Sequence, residues 1–342
     1  MRRVAKVLLG TATAALIAVG PVASSSGATP FAQTSASSCK QATNIEAIVD
    51  DSISMEFTDA SRLRVQAMNL LINTLGKSTQ LGAVEFGSGG YENNPPPADT
   101  LFPPLPVGPN APAMLAALDL KIHADNGATD YNGAFAQSDL DNPSADARIF
   151  LTDGGHIVGT YNEAHLVHSV PTYVVGFGGV SLPDDQARLK KIAADTGGAY
   201  FPLDDSSQLQ SVMNSIGAAL TCQTPPRLFS DELGKGQSKS HSVAIGAATK
   251  SIQITLTWAS PLDKFKLSGL RLTGPKGLIA VAPRAKKPAK LKVSKTVSST
   301  FTVLKVSHLR KGKLHFAVKA TAVGSGAPKA ILTTQVGQSS HR

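Results

Sequence analysis

Five oxygen-bearing residues suggest the chemistry of this chain: Asp50, Ser52 and Ser54 in one short run, then Thr129, then Asp153. The first run reads Asp50-Asp51-Ser52-Ile53-Ser54, so an acid and two hydroxyls recur at alternate positions. Thr129 sits in Gly127-Ala128-Thr129-Asp130, and Asp153 follows Ile149-Phe150-Leu151-Thr152. Hydroxyls and carboxylates, without thiolate or imidazole, suit a hard cation. Taken singly, Asp50 and Asp153 also read as cap or turn residues. Asp51 reads as a bystander that adds charge, and Asp130 as the cap of the next helix. His156 reads as an ordinary loop residue near the rim. His165 and His168, three apart on a short predicted helix, read as solvated. The chain has no His-Glu-x-x-His and no Gly-x-Ser-x-Gly, and neither cysteine reads as a nucleophile, so a binding protein is expected and not an enzyme. Gly176-Phe177-Gly178-Gly179 does not complete a dinucleotide loop.

Positioning these residues is the task of 44–222, where strand and helix patterns alternate. Asn44 to Val49 is a mostly apolar run ending in acids, as a buried parallel strand should be. A helix is expected from about Asp59 to Leu75, capped by Thr58 or Asp59. Leu81–Phe86 reads as a strand, and a short edge strand fits Thr100–Phe102. Further helices fit Pro112–Leu120, Asn132–Ser138, Asp184–Thr196 and Ser207–Leu220. Further strands fit Arg148–Thr152, Thr172–Phe177 and Tyr200–Leu203. This order implies an α/β fold: a doubly wound, mostly parallel sheet with helices on both faces. Ligands bind such sheets at the carboxyl ends of the strands, where strand order reverses.

The ordered set on these elements resembles the metal-ion-dependent adhesion site of von Willebrand factor A and integrin I domains. Supporting phrases are Gly127-Ala128-Thr129-Asp130, Leu151-Thr152-Asp153-Gly154, Tyr173 to Gly178 and Leu189 to Tyr200. The resemblance covers about 180 residues, just over half the chain. It implies that Ser52, Ser54 and Thr129 touch the metal directly, with Asp50 and Asp153 behind them. It also implies Mg²⁺ (or Mn²⁺ or Ca²⁺) and a protein partner whose Asp or Glu completes the shell. Ile53 departs from the family pattern, where glycine is common, and is expected to narrow the approach without removing a ligand.

Beyond Thr224-Pro225-Pro226 the period changes to two. Ile252, Ile254, Leu256 and Trp258 alternate with Gln253, Thr255 and Thr257; Phe265 and Leu267, then Leu270 and Leu272, continue the pattern. A C-terminal all-β sandwich of seven or eight strands is expected. It weakly resembles the small β domains appended to secreted bacterial exoproteins. The expected layout is a signal peptide over 1–28, a flexible leader over 29–43, the A-type domain over 44–222, a linker over 223–228 and the sandwich over 229–338. Arg2, Arg3 and Lys6 precede the apolar run Val7–Val22, and cleavage after Ala23 or Ala28 fits; that run is too short to span a bilayer. The mature protein is therefore expected outside the cell, secreted or at its surface, with no remaining membrane span.

Charge is uneven. Residues 223–342 hold 21 Lys or Arg against 3 Asp or Glu, a net +18, while residues 1–222 are net −9. The densest basic run contains Lys286, Lys287, Lys290, Lys292 and Lys295, between or just beyond Pro283 and Pro288. It reads either as a patch for anionic cell-surface polymers or as a solubility feature; aromatic residues are too few to suggest nucleic acid. Surface retention through this basic half is the competing function. The two cysteines, Cys39 and Cys222, flank the α/β pattern. In an oxidising compartment they suggest a disulfide, stabilising by roughly 5 kcal/mol through its long loop. Lipidation of Cys39 would need Gly or Ala just before it, where Ser38 stands.

Overall fold

The computed structural model describes residues 40–87, 98–123, 127–176, 183–203, 208–222, 224–275, 277–281, 289–324, 326 and 328–340. The expected signal peptide, the leader through Cys39, and Lys286 and Lys287 lie outside the described residues.

The first half follows the order β1 (Asn44–Asp50), α1 (Met55–Thr58), α2 (Leu63–Thr74), β2 (Gln80–Phe86), β3 (Ala98–Pro106), α3 (Val107–Lys121), α4 (Tyr131–Asp141), β4 (Ala147–Thr152), β5 (Thr172–Gly176), α5 (Pro183–Asp195), β6 (Ala199–Pro202) and α6 (Leu209–Leu220). Its sheet runs β3-β2-β1-β4-β5-β6. All pairs are parallel except β2 with β3. The proline-rich β3 can occupy only an edge, because proline cannot donate to a second neighbour. β1 is central and buried on both faces, which is why its apolar run is nearly continuous. Ala47 and Val49 pack with Leu71, Met114, Met213 and Ile216 of α2, α3 and α6. Ile48 and Phe150 pack on the other side with Phe135 and Ile192 of α4 and α5. The expected doubly wound α/β architecture is therefore present.

One predicted helix divides. The span from Asp59 to Leu75 contains α2 alone, and the turn α1 precedes it. Arg62 adopts a left-handed φ of 53° at the break. Asp59 accepts from the backbone N–H of Leu63 at 2.7 Å and of Arg64 at 2.9 Å, so it satisfies the orphan donors of α2 from upstream. His165 and His168 lie in turns, not on a helix, and both are exposed.

Among the described residues the second half has ten strands, more than expected. They are β7 (Thr224–Leu233), β8 (Ser238–Ile245), β9 (Thr249–Thr257), β10 (Lys264–Gly274), β11 (Gly277–Val281), β12 (Ala289–Lys290), β13 (Lys292–Val297), β14 (Phe301–Ser307), β15 (Gly312–Ala322) and β16 (Ala330–Ser340). Two five-stranded sheets, β12-β11-β10-β15-β8 and β13-β14-β9-β16-β7, enclose a core that includes Ile254, Leu256, Trp258, Leu272, Phe316 and Leu332. Residues 224–226, expected as linker, begin β7. The described part of the basic run contributes β12 and β13.

The polar face of β9 is not solvated. Thr255 and Thr257 are buried because α6 and α2 cover this sheet. Asn214 of α6 donates to Gln335 and accepts from Thr255 Oγ1 at 3.1 Å. Gln335 donates in turn to the Ser211 carbonyl at 3.0 Å and to Ser215 Oγ at 2.9 Å. Leu70 packs against Phe301 and Val303 beside this network. The two halves thus form one compact unit over Lys40–Arg342. No helix among the described residues is long and apolar enough to cross a membrane.

Candidate metal centre

β1 delivers Asp50 to the carboxyl end of the sheet, where the chain turns sharply. Asp50 is 0% exposed. One carboxylate oxygen accepts from the Ser52 N–H at 2.9 Å and the other from Thr152 Oγ1 on β4 at 2.6 Å. The Ser52 and Ser54 hydroxyls meet at 3.0 Å. Ser54 Oγ donates to Asp153 Oδ1 at 2.8 Å, and Thr58 Oγ1 donates to Asp153 Oδ2. The backbone ties Thr129 to the same place: Ile53 N–H donates to Gly127 O at 3.1 Å, and Ile157 N–H to Thr129 O at 3.0 Å. A methyl group added at Gly154 would lie 3.8 Å from Thr129 Oγ1, so this hydroxyl faces the residue after Asp153. All five predicted residues therefore gather at one rim.

Gly87 explains how the turn fits. At φ 104° it passes under the loop, and a Cβ there would lie 2.4 Å from the Ser52 nitrogen. Only glycine allows both that conformation and that approach.

Electrostatics favour a cation. Burial, with Asp153 beside it, pushes the Asp50 carboxyl up to about 7. Burial also raises Asp153, against the hydrogen bonds from Thr58 and Ser54. A divalent cation held beside these two buried acids would offset the cost of keeping them ionised. Three hydroxyls and two carboxylates fit a hard divalent ion. Among the described residues no group of three or more His, Cys, Asp or Glu offers an alternative centre.

Other residues do different work from that expected. Asp51 is no solvated bystander: it is buried and bonded to Arg64 at 2.8 Å, and Arg64 also reaches Asp59 at 3.1 Å. Asp130 caps α4 as expected, accepting from Asn132 N–H at 2.9 Å. His156 is buried, not an open loop residue; its Nδ1 accepts from the Tyr131 N–H at 3.1 Å. Burial lowers its basicity, so it supports the loop as a neutral ring. Thr58 and Thr152 escaped the sequence reading. Nothing in their spacing marks them, although Thr152 lies directly before Asp153.

Lys290 lies on β12 of one sheet, and Lys292 and Lys295 stand exposed on β13, the edge of the other.

No family model matches the chain, and no curated protein matches it. Solved structures do. The chain is similar to a von Willebrand factor type A protein from Catenulispora acidiphila, at 17% identity and a TM-score of 0.43, over 87% of this chain and 63% of that one. The pilus adhesin SpaC from Lactobacillus rhamnosus GG aligns at 13% identity and a TM-score of 0.43, over 88% of this chain and 44% of that one. Manganese-loaded TRAP protein from Plasmodium vivax aligns at 14% identity and a TM-score of 0.38, over 61% of this chain and 89% of that one. The chain thus spans less than two thirds of the first two structures.

Proposed function

We propose that this chain is a divalent-cation-dependent binding protein of the adhesion type that works outside the cell. The observation that carries this reading is the linked oxygen set at the carboxyl ends of β1 and β4, with Asp50 and Asp153 buried behind the hydroxyls. Ser52, Ser54 and Thr129 would hold the cation directly. Asp50 and Asp153 would orient those hydroxyls and balance charge. Mg²⁺ suits oxygen ligands that leave positions open to a further carboxylate, and a partner's Asp or Glu would fill one of them.

The rim supports a partner of mixed character. Ile53, Phe57 and Ile157 are 55%, 81% and 57% exposed on the loops that carry the set. Clustered exposed apolar side chains of this size mark a contact surface, so the acidic residue of the partner would be flanked by apolar ones. The test is calorimetric titration of Mg²⁺ and Mn²⁺ into wild type, Asp50→Ala and Asp153→Ala. Both variants should bind metal at least tenfold more weakly, on the order of 1.4 kcal/mol, and keep their circular dichroism. Unchanged affinity in both would overturn the reading.

A Cys39–Cys222 disulfide belongs to the same proposal. Its support is the Ala42 N–H bonded to the Leu220 carbonyl at 2.9 Å, which sets the flanks of the two cysteines side by side. No described cysteine is free. Peptide mapping without reduction should recover the joined pair; two free thiols, or a lipid on Cys39, would refute it. Retention on anionic polymers is a second reading, favoured by the exposed Lys292 and Lys295 on an edge strand.

A further inference from the structure

A cavity of about 240 Å³ opens between the two halves, beside the amino ends of β1 and β2 and so at the end of the sheet opposite the candidate metal centre. Each half contributes one ammonium group. Lys77 comes from the turn between α2 and β2, and Lys305 from β14. Among the described residues neither ammonium has a hydrogen-bond or ion-pair partner. Burial and the charge of Lys77 hold the Lys305 ammonium below the ordinary lysine range, and no carboxylate offsets them. A half-buried charge with only a like charge for company is costly unless something neutralises it.

The remaining walls mix hydroxyls with apolar side chains such as Leu75 and Val303, and Val107 N–H at the helix end is already taken by the Thr79 carbonyl at 2.9 Å. The hydroxyl-bearing Ser294 and Thr296 of β13 line the cavity. The amino end of the 15-residue helix α3 borders it through Val107 and Gly108, and that end carries the positive pole of the helix. Gly108 N–H donates to the Lys77 carbonyl at 2.8 Å, and a Cβ at 108 would lie 2.8 Å from Lys77 Cβ. Glycine at 108 therefore lets Lys77 sit against the helix end.

We propose that this cleft binds a phosphate dianion, either inorganic phosphate or the terminal phosphate of a monoester, between Lys77 and Lys305. Two ammonium groups without an acid match two negative charges. A carboxylate or a phosphodiester brings one charge and leaves one lysine uncompensated. The several oxygens of a phosphate also match the hydroxyls of Ser294 and Thr296, and the positive pole of α3 adds to the field.

The experiment is calorimetric titration of the full chain in chelator, at constant ionic strength, which silences the metal centre. The probes are inorganic phosphate, glycerol 3-phosphate and dimethyl phosphate. Saturable one-to-one binding is expected for the first two and much weaker binding for the diester. Binding of glycerol 3-phosphate as well as inorganic phosphate would show that the site accepts a monoester; binding of inorganic phosphate alone would assign it to the free ion. Lys77→Gln and Lys305→Gln should each lose about tenfold or more in affinity. The pair Lys239→Gln and Lys319→Gln, exposed on β8 and β15 of the other sheet, should bind as wild type. Because Lys305 is partly buried, melting of each variant is compared without ligand. Lys77→Gln, at an exposed turn and with its repulsion of Lys305 removed, must lose binding without melting any lower than wild type. Absence of saturable binding, wild-type affinity in Lys77→Gln, or equal loss in the control pair would overturn the proposal.

Discussion

Arg64 has no solvent exposure, and its guanidinium stands between Asp51 and Asp59. Removing one side of a buried ion pair leaves the other charge uncompensated. Arg64→Met should therefore destabilise the fold by about 3–5 kcal/mol, read as a lower urea midpoint with unchanged slope; a loss below about 1 kcal/mol would mean the trio is solvated. Glu46 makes a second residue-scale case. It is buried in β1, accepts from Asn142 Nδ2 at 3.0 Å, and is pushed up to about 8 by burial. Its folded-state affinity for protons exceeds that of the unfolded chain. Its contribution is therefore complete below pH about 4.5 and is lost as pH rises through about 8. Glu46→Gln should flatten the fall in stability across that window, by at most roughly 5 kcal/mol, as urea titrations at stepped pH would record. An unchanged slope would assign the pH dependence elsewhere. The convergence of Asp50, Ser52, Ser54, Thr129 and Asp153 at one rim was legible because their types and order are constrained together. Arg64 was not, because its acidic partners are set by a backbone break at Arg62 that has no periodic signature.

At the scale of elements, strand and helix order followed from apolar periodicity, and the errors lie where the backbone leaves its period. The apolar phase in β10 switches from Phe265 and Leu267 to Leu270 and Leu272. The structure explains it by a register shift between Ser268 and Arg271, with Gly269 at φ 63°. Gly269 has nothing near its missing Cβ, whereas a Cβ at Gly87 would strike the Ser52 backbone. The two positions separate backbone strain from steric conflict. Gly269→Ala should cost roughly 1 kcal/mol and leave metal affinity unchanged. Gly87→Ala should cost more and also weaken metal binding, because the loop holding Ser52 must move. Thermal melts with parallel metal titrations would check both, and equal metal affinity in the two variants would contradict the geometry.

For the whole molecule, the two halves were legible as separate patterns but their joint was not. Alternation in β9 predicts one polar face, and a polar face is ordinarily a wet one. Here Asn214, Thr255 and Gln335 satisfy one another across the joint, so polar residues are buried without an apolar signal. Charge was legible as a sum, and the strands that carry Lys290 and Lys292 belong to different sheets. If the basic half retains the protein on polyanions, the variant with Lys286, Lys287, Lys290, Lys292 and Lys295 changed to Gln should elute from an anionic-polymer column at markedly lower salt than wild type. Elution at the same salt would reduce these lysines to a solubility role.

The hydrogen bond between Ala42 and Leu220 lies at the foot of the sheet just before β1, and Asp50 ends β1 at its crest. Tension between a partner gripping the rim and a tether at the foot would run lengthwise along β1. That strand is flanked on both sides by parallel neighbours, β2 and β4. Such a load would strain both ladders in shear, many bonds at once, instead of peeling them one by one. Single-molecule pulling between residue 40 and the rim should therefore give a higher rupture force than pulling across β6, the sheet's outer strand; equal forces would show that β1 does not carry the load.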